Sequence, residues 1–151
     1  MKFHSLPEIL KFAVAKEESS VKFYRNLAAG VKKADMSAVF EIMARQEEKH
    51  IEAIKLECIK LGYTVLDSAP AEDGDEPSAE LDELAGEMTY LDALRLGIQK
   101  ERAAFELYAE LMTMTDTVET RRTFLYLAEE EMRHVLQLER ELETLTQPHK
   151  G

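Results

Sequence analysis

Residues 129–134 read Glu129-Glu130-Glu131-Met132-Arg133-His134, with Glu131 and His134 three positions apart. Around them Phe124, Leu127, Ala128, Val135, Leu138 and Leu142 recur at three- and four-residue steps, which on an α-helix brings all eight onto one face. An apolar stripe of this kind faces a core, so the acid and the imidazole within it face the core too. A buried, unpaired carboxylate carries a heavy desolvation cost, and a cation held jointly by a carboxylate and an imidazole one turn apart offsets it. The pair reads as two ligands of one metal.

The same pair stands 84 residues earlier as Glu47 and His50, inside the stripe Phe40, Met43, Ala44, Ile51, Ile54 and Leu61. The same shift superposes Leu10 on Leu94, Glu17 on Glu101, Tyr24 on Tyr108, Leu27 on Leu111, Phe40 on Phe124 and Leu61 on Leu145. The chain is an internal duplication. Glu17 interrupts the apolar run Leu10, Ala13, Val14, Ser20, Val21, Tyr24 and Leu27, whereas Glu18 shares the opposite face with Lys11, Lys22 and Arg25. Glu17 and its repeat Glu101 therefore join the candidate ligands.

A chain of 151 residues is long enough to bury one core without covalent staples, and 45% hydrophobic content in helical register argues against disorder. The net charge of −11 disfavours nucleic acid as a partner. No run approaches the roughly 20 apolar residues of a membrane span and no leader pattern opens the chain, so a cytoplasmic protein is expected. The single cysteine, Cys58, rules out intrachain disulfides and a four-thiolate metal site, and its place near an inner stripe predicts a buried, inert thiol.

Helix signals divide the chain into one domain, 1–151, of two hairpins. Ser5-Leu6-Pro7-Glu8 reads as a capping box with proline in the first turn, opening a helix that reaches about Gly30. A second is predicted from about Ser37 to Lys60, stopping at Gly62; the short connection makes residues 5–62 an antiparallel hairpin. Residues 63–88, acidic and rich in Pro and Gly, read as a long crossover holding a short helix near 78–86. A second hairpin follows over 89–147. Its first helix begins near Thr89 with Leu94, Ile98, Glu101, Ala104, Phe105, Tyr108 and Leu111 inward, and its second starts near Glu119 and ends before Pro148.

Each hairpin thus supplies one Glu from its first helix and a Glu-x-x-His from its second. Four Glu and two His converge, the ligand set of a di-iron or di-manganese carboxylate site in an all-α four-helix bundle. On these residues, with Phe23-Tyr24, Glu47-Glu48-Lys49-His50, Leu107-Tyr108 and Glu131-Met132-Arg133-His134, essentially the whole chain resembles the rubrerythrin-type, ferritin-like di-iron proteins. The resemblance implies that Glu47 and Glu131 bridge two irons, that Glu17 and Glu101 are terminal carboxylates, and that His50 and His134 give one nitrogen per metal. It also implies that Tyr24 and Tyr108 donate hydrogen bonds to the carboxylates. Plain amphipathic packing would put the two tyrosines in the same places.

Two departures separate the chain from full-length rubrerythrins. One cysteine cannot build their rubredoxin-like centre, so electrons are expected from a separate protein; and Ala104 stands where they carry an additional Glu. Haem is not expected, because Met132 has Glu48 at its repeat position. The expected function is a non-haem di-iron oxidoreductase that reduces peroxide or dioxygen and protects against oxidative stress, with manganese or a mixed pair satisfying the same ligands. The alternatives are a ferroxidase that handles iron and a structural bundle with a vestigial site. Because each hairpin holds half a site, a homodimer is expected, with either swapped or unswapped hairpins.

Overall fold

The computed structural model describes residues 2–63 and 89–147. Four helices hold nearly all of them: α1 (Leu6–Gly30), α2 (Ala34–Lys60), α3 (Tyr90–Thr113) and α4 (Val118–Thr146), with no strand among the described residues. The crossover expected over 63–88 lies outside the described residues beyond Tyr63, as does the short helix expected near 78–86.

Local chemistry sets the ends. The Ser5 hydroxyl accepts from the Glu8 amide at 3.4 Å, and Pro7 fits the first turn, where a backbone N–H has no helical acceptor to lose. The capping box is not closed as expected. The Glu8 carboxylate accepts from His4 N–H at 3.1 Å, one residue before the cap. Thr89 caps α3 through the Asp92 amide at 3.2 Å. Helix α2 begins one turn before Ser37, because that hydroxyl does not cap it: Ser37 Oγ donates to the Ala28 carbonyl at 2.7 Å, satisfying the end of α1 across the turn. At the far end of α2, Gly62 takes φ +83°, while Gly62 N–H bonds Ile59 O and Tyr63 N–H bonds Cys58 O, a Schellman stop.

Helix α1 packs along α2 and α3 along α4, and the hairpins join through α1 against α3 and α2 against α4. The inner stripes read from the sequence are largely buried. Ile51, Leu61, Ala104, Phe105 and Leu142 reach only half burial, and Leu145 is exposed. The core falls into two apolar clusters. One gathers Tyr24, Leu27, Phe40, Met43, Leu94 and Leu138; the other gathers Leu10, Ile54, Cys58, Tyr108, Phe124 and Leu127. Cys58 is fully buried, and burial pushes its thiol up. The duplication shows in the packing: Tyr24 stacks on Phe40 at 6.3 Å, and their repeats Tyr108 and Phe124 stack at 6.0 Å.

A methyl group on Gly62 would meet open space, so Gly62→Ala tests the backbone alone. The left-handed φ should cost about 1 kcal/mol, lowering the midpoint by roughly 2–4 °C in a domain of this size. Calorimetry checks it, and an unchanged midpoint would contradict the Schellman stop.

Candidate metal centre

Between the two apolar clusters lies a polar layer made by all four helices. Glu17 and Glu101 come from α1 and α3, Glu47 and His50 from α2, Glu131 and His134 from α4; all six are buried, with Glu47 and Glu131 fully so. The structure brings together every ligand candidate read from the sequence. Three overlapping groups form, Glu47, His50 and His134, then Glu17, Glu47, His50 and Glu131, and Glu47, Glu101, Glu131 and His134, each with one potential ligand atom per residue inside 4.8 Å of the others. Glu47 belongs to all three, and Glu131 to both four-residue groups.

Cross-helix distances show how closely the halves interlock. His50 Nδ1 lies 2.9 Å from Glu131 Oε1 and 3.5 Å from Glu17 Oε2, while His134 Nδ1 lies 3.2 Å from Glu47 Oε1 and 3.5 Å from Glu101 Oε1. The two imidazoles face each other with centroids 5.6 Å apart. Each tyrosine reaches the opposite hairpin: Tyr24 OH donates to Glu101 Oε1 at 2.7 Å, and Tyr108 OH donates to Glu17 Oε1. Burial, then the nearby carboxylates, push both phenols well above their ordinary range, so they stay protonated and donate.

These bonds leave a particular remainder. Both oxygens of Glu47 and of Glu131, Oε2 of Glu17 and of Glu101, and Nδ1 of both histidines are buried without a well-formed hydrogen bond, the imidazole nitrogens meeting carboxylate oxygens only in the close contacts above. Buried polar atoms are normally satisfied, and eight orphans in one layer is an arrangement that a folded chain sustains when something else binds there. Oxygen and imidazole donors without a thiolate suit iron or manganese, and the pattern of two free oxygens on the shared acids and one on each outer acid fits two cations. The donor set therefore fits the metal pair that the sequence suggested.

Electrostatics point the same way. Burial, reinforced by Glu17, Glu101 and Glu131, raises the Glu47 carboxyl well above its ordinary range; burial, with Glu17 and Glu101, does the same to Glu131. Burial also pushes on Glu101, but contacts with His134, Glu131 and Tyr24 outweigh it and hold that carboxyl low.

Two features near the site escaped the sequence reading. Gly97 sits where an added Cβ would stand 3.1 Å from Leu138 Cδ1 and 3.5 Å from Tyr24 Cε1, and its carbonyl lies 3.3 Å from Tyr24 OH. The missing Cβ leaves room for Leu138 of α4, whereas the contact with the ring would be an ordinary one. Glu57, buried two turns beyond His50 on the same side of α2, accepts from Thr123 Oγ1 at 2.9 Å and Thr120 Oγ1 at 3.4 Å, tying α2 to α4. Its seven-residue spacing from His50 was the available signal.

Comparison with known proteins places the chain among others of this architecture. A rubrerythrin family model matches residues 8–142. Among solved structures, an uncharacterized conserved protein from Magnetospirillum magnetotacticum MS-1 is 28% identical with a TM-score of 0.71, over 98% of this chain and 100% of that one. A hypothetical protein from Pyrococcus furiosus is 24% identical with a TM-score of 0.67, over 93% and 90%. No curated protein matches. The fold is a ferritin-like four-helix bundle, and among the described residues no helix is long and apolar enough to cross a membrane.

Raised carboxyl pKa values mean that the folded, metal-free chain binds more protons than the unfolded chain, so its stability falls as pH rises from the ordinary carboxylate range toward the raised values. Between pH 5 and 8 the metal-free thermal midpoint should decline, and Fe(II) or Mn(II) should restore it most at the high end; a midpoint that rises with pH would contradict the site. Glu47→Gln with Glu131→Gln removes the mutual repulsion. It should raise the metal-free midpoint at neutral pH and abolish the gain on adding metal, about 2.7 kcal/mol at a hundredfold excess over Kd. A lower metal-free midpoint would mean that these acids serve the fold.

Proposed function

Because this chain belongs to the rubrerythrin family, we propose that its polar layer holds a carboxylate-bridged di-iron centre that reduces hydrogen peroxide or dioxygen. The observation that carries the reading is the set of eight orphaned donor atoms, shared between the halves through Glu47 and Glu131. In this reading Glu17, Glu47, His50 and Glu131 would hold one cation and Glu47, Glu101, Glu131 and His134 the other.

When bound, two ferrous ions would supply the two electrons that, with two protons, take one peroxide to two waters. The chain's own residues do the rest. Tyr24 and Tyr108 fix one oxygen of each outer acid and leave the other free for metal. Their hydroxyls are also protons held within hydrogen-bond reach of the ligand carboxylates. The apolar clusters on either side keep bulk water away, which strengthens the electrostatic hold of the carboxylates on cations. Oxidation of bound Fe(II) is shared with the iron-handling alternative, so the two separate on turnover.

Anaerobically loaded chain mixed with peroxide or air-saturated buffer in a stopped-flow device tests the reading. Peroxide should oxidise the iron at least tenfold faster in the wild type than in Glu131→Ala, with one peroxide consumed per two irons. Sustained turnover should appear only with an added electron donor. Oxidation in the wild type no faster than that of free Fe(II) would contradict it.

A further inference from the structure

Met132 follows the fully buried Glu131 and precedes His134 by two residues on α4, so it stands at the level of the polar layer. It is half-buried and packs against the apolar cluster that holds Tyr24, Phe40 and Met43. Its repeat is Glu48, whose carboxylate accepts from Arg25 at 2.6 Å and clasps α2 to α1 at the surface. The repeat of Arg25 is Ala109, short and exposed. The second hairpin therefore has a methyl group and a thioether where the first has an ion pair, and no long side chain reaches over the sulfur from position 109.

The other methionines among the described residues are placed differently. Met43 belongs to the same cluster but is fully buried. Met36 is in the first turn of α2, Met112 in the last turn of α3 and Met114 just beyond it, all at the ends of the bundle. The thiol of Cys58 is fully buried. Among the described residues, Met132 alone brings a sulfur that solvent can reach to the side of the ligand candidates.

We propose that Met132 is an oxidation site, at which peroxide that reaches the polar layer and is not reduced there converts the thioether to a sulfoxide. The proposal rests on the peroxide reading above. The sulfur lone pair attacks one peroxide oxygen, the O–O bond breaks and a sulfur–oxygen bond forms. The second oxygen leaves as water, taking the proton that the transferred oxygen gives up. The thioether loses two electrons and the peroxide gains them, so the step needs no other reactant. A sulfoxide is polar and chiral, and beside Glu131 it disturbs the packing of α4 on its cluster. Excess peroxide thereby weakens the site from one flank, reversibly, because sulfoxide reductases return the thioether.

The test uses the full chain, loaded anaerobically with Fe(II), exposed to a few equivalents of hydrogen peroxide and mapped by mass spectrometry after trypsin. Cleavage after Arg122 and Arg133 isolates Met132 in its own peptide. Met112 and Met114 share another, and both are half-buried, so they control for unselective oxidation by iron and peroxide in solution. Met132 should gain one oxygen several-fold faster than Met112 or Met114. Oxidation of Met132 no faster than theirs would overturn the proposal.

Met132→Leu keeps the volume and apolar character of the side chain. After the same exposure the wild type should lose a few degrees of thermal midpoint and part of its bound iron, and methionine sulfoxide reductases should restore both. Met132→Leu should lose neither; equal losses in the two proteins would also overturn the proposal. The rate of iron oxidation in the same mixtures reports on the redox reading separately. Fast oxidation with Met132 untouched strikes this inference alone, whereas iron oxidised no faster than free Fe(II) strikes the reading beneath it.

Discussion

Four carboxylates gathered in one buried layer are the constraint on which this bundle depends. Left alone they repel one another in a low dielectric, and two of them are driven toward the protonated state. Ordinary selection for stability would replace such a layer with Leu. The chain instead surrounds it with packing: an apolar cluster on each side, stacked aromatic pairs at equivalent places, and helices of 24 to 29 residues that pass through both clusters. Stability resides in the flanks, and the centre is free to be chemically demanding.

Duplication explains how so many groups reach one place. Each hairpin brings an acid and a Glu-x-x-His, and antiparallel docking of the two puts the repeats face to face. The tyrosines show the consequence most directly, since each bonds the outer acid of the other hairpin and neither hairpin alone would have a complete layer. Symmetry is nevertheless broken where it costs little. Gly97 stands where the first repeat has Ala13, and only Tyr24 has a backbone carbonyl near its hydroxyl. The outer face of α2 and α4 departs further, with Leu56 and Ile59 at one end and Arg140 and Glu143 at the other.

Much of this was legible before any coordinates. Period and register expose an inward acid such as Glu17, because its neighbours three and four residues away are apolar, and two copies at one offset exclude coincidence. Helix ends were legible where a side chain or a glycine makes the stop, as at Ser5, Gly62 and Thr89. They were not legible at Ser37, whose hydroxyl serves the preceding helix rather than its own. Nor could periodicity alone show that Glu57 is held by two threonines 63 and 66 residues away, or that Gly97 makes room for Leu138 on another helix. Such features depend on which helices become neighbours, information that one helix does not contain. The roles of Tyr24 and Tyr108 were ambiguous for the same reason, since packing and hydrogen bonding place a tyrosine at the same register.

On the proposed function the polar layer would hold two metal ions. Anaerobic equilibrium titration with Fe(II), followed by Mössbauer and integer-spin EPR spectra of the loaded chain, tests it most directly. The account predicts saturation at two irons per chain with spectra of an exchange-coupled pair, and loss of both in a Glu47→Ala, Glu131→Ala chain that still folds. Saturation at one iron or none, or two irons without coupling, would contradict a shared centre bridged by Glu47 and Glu131.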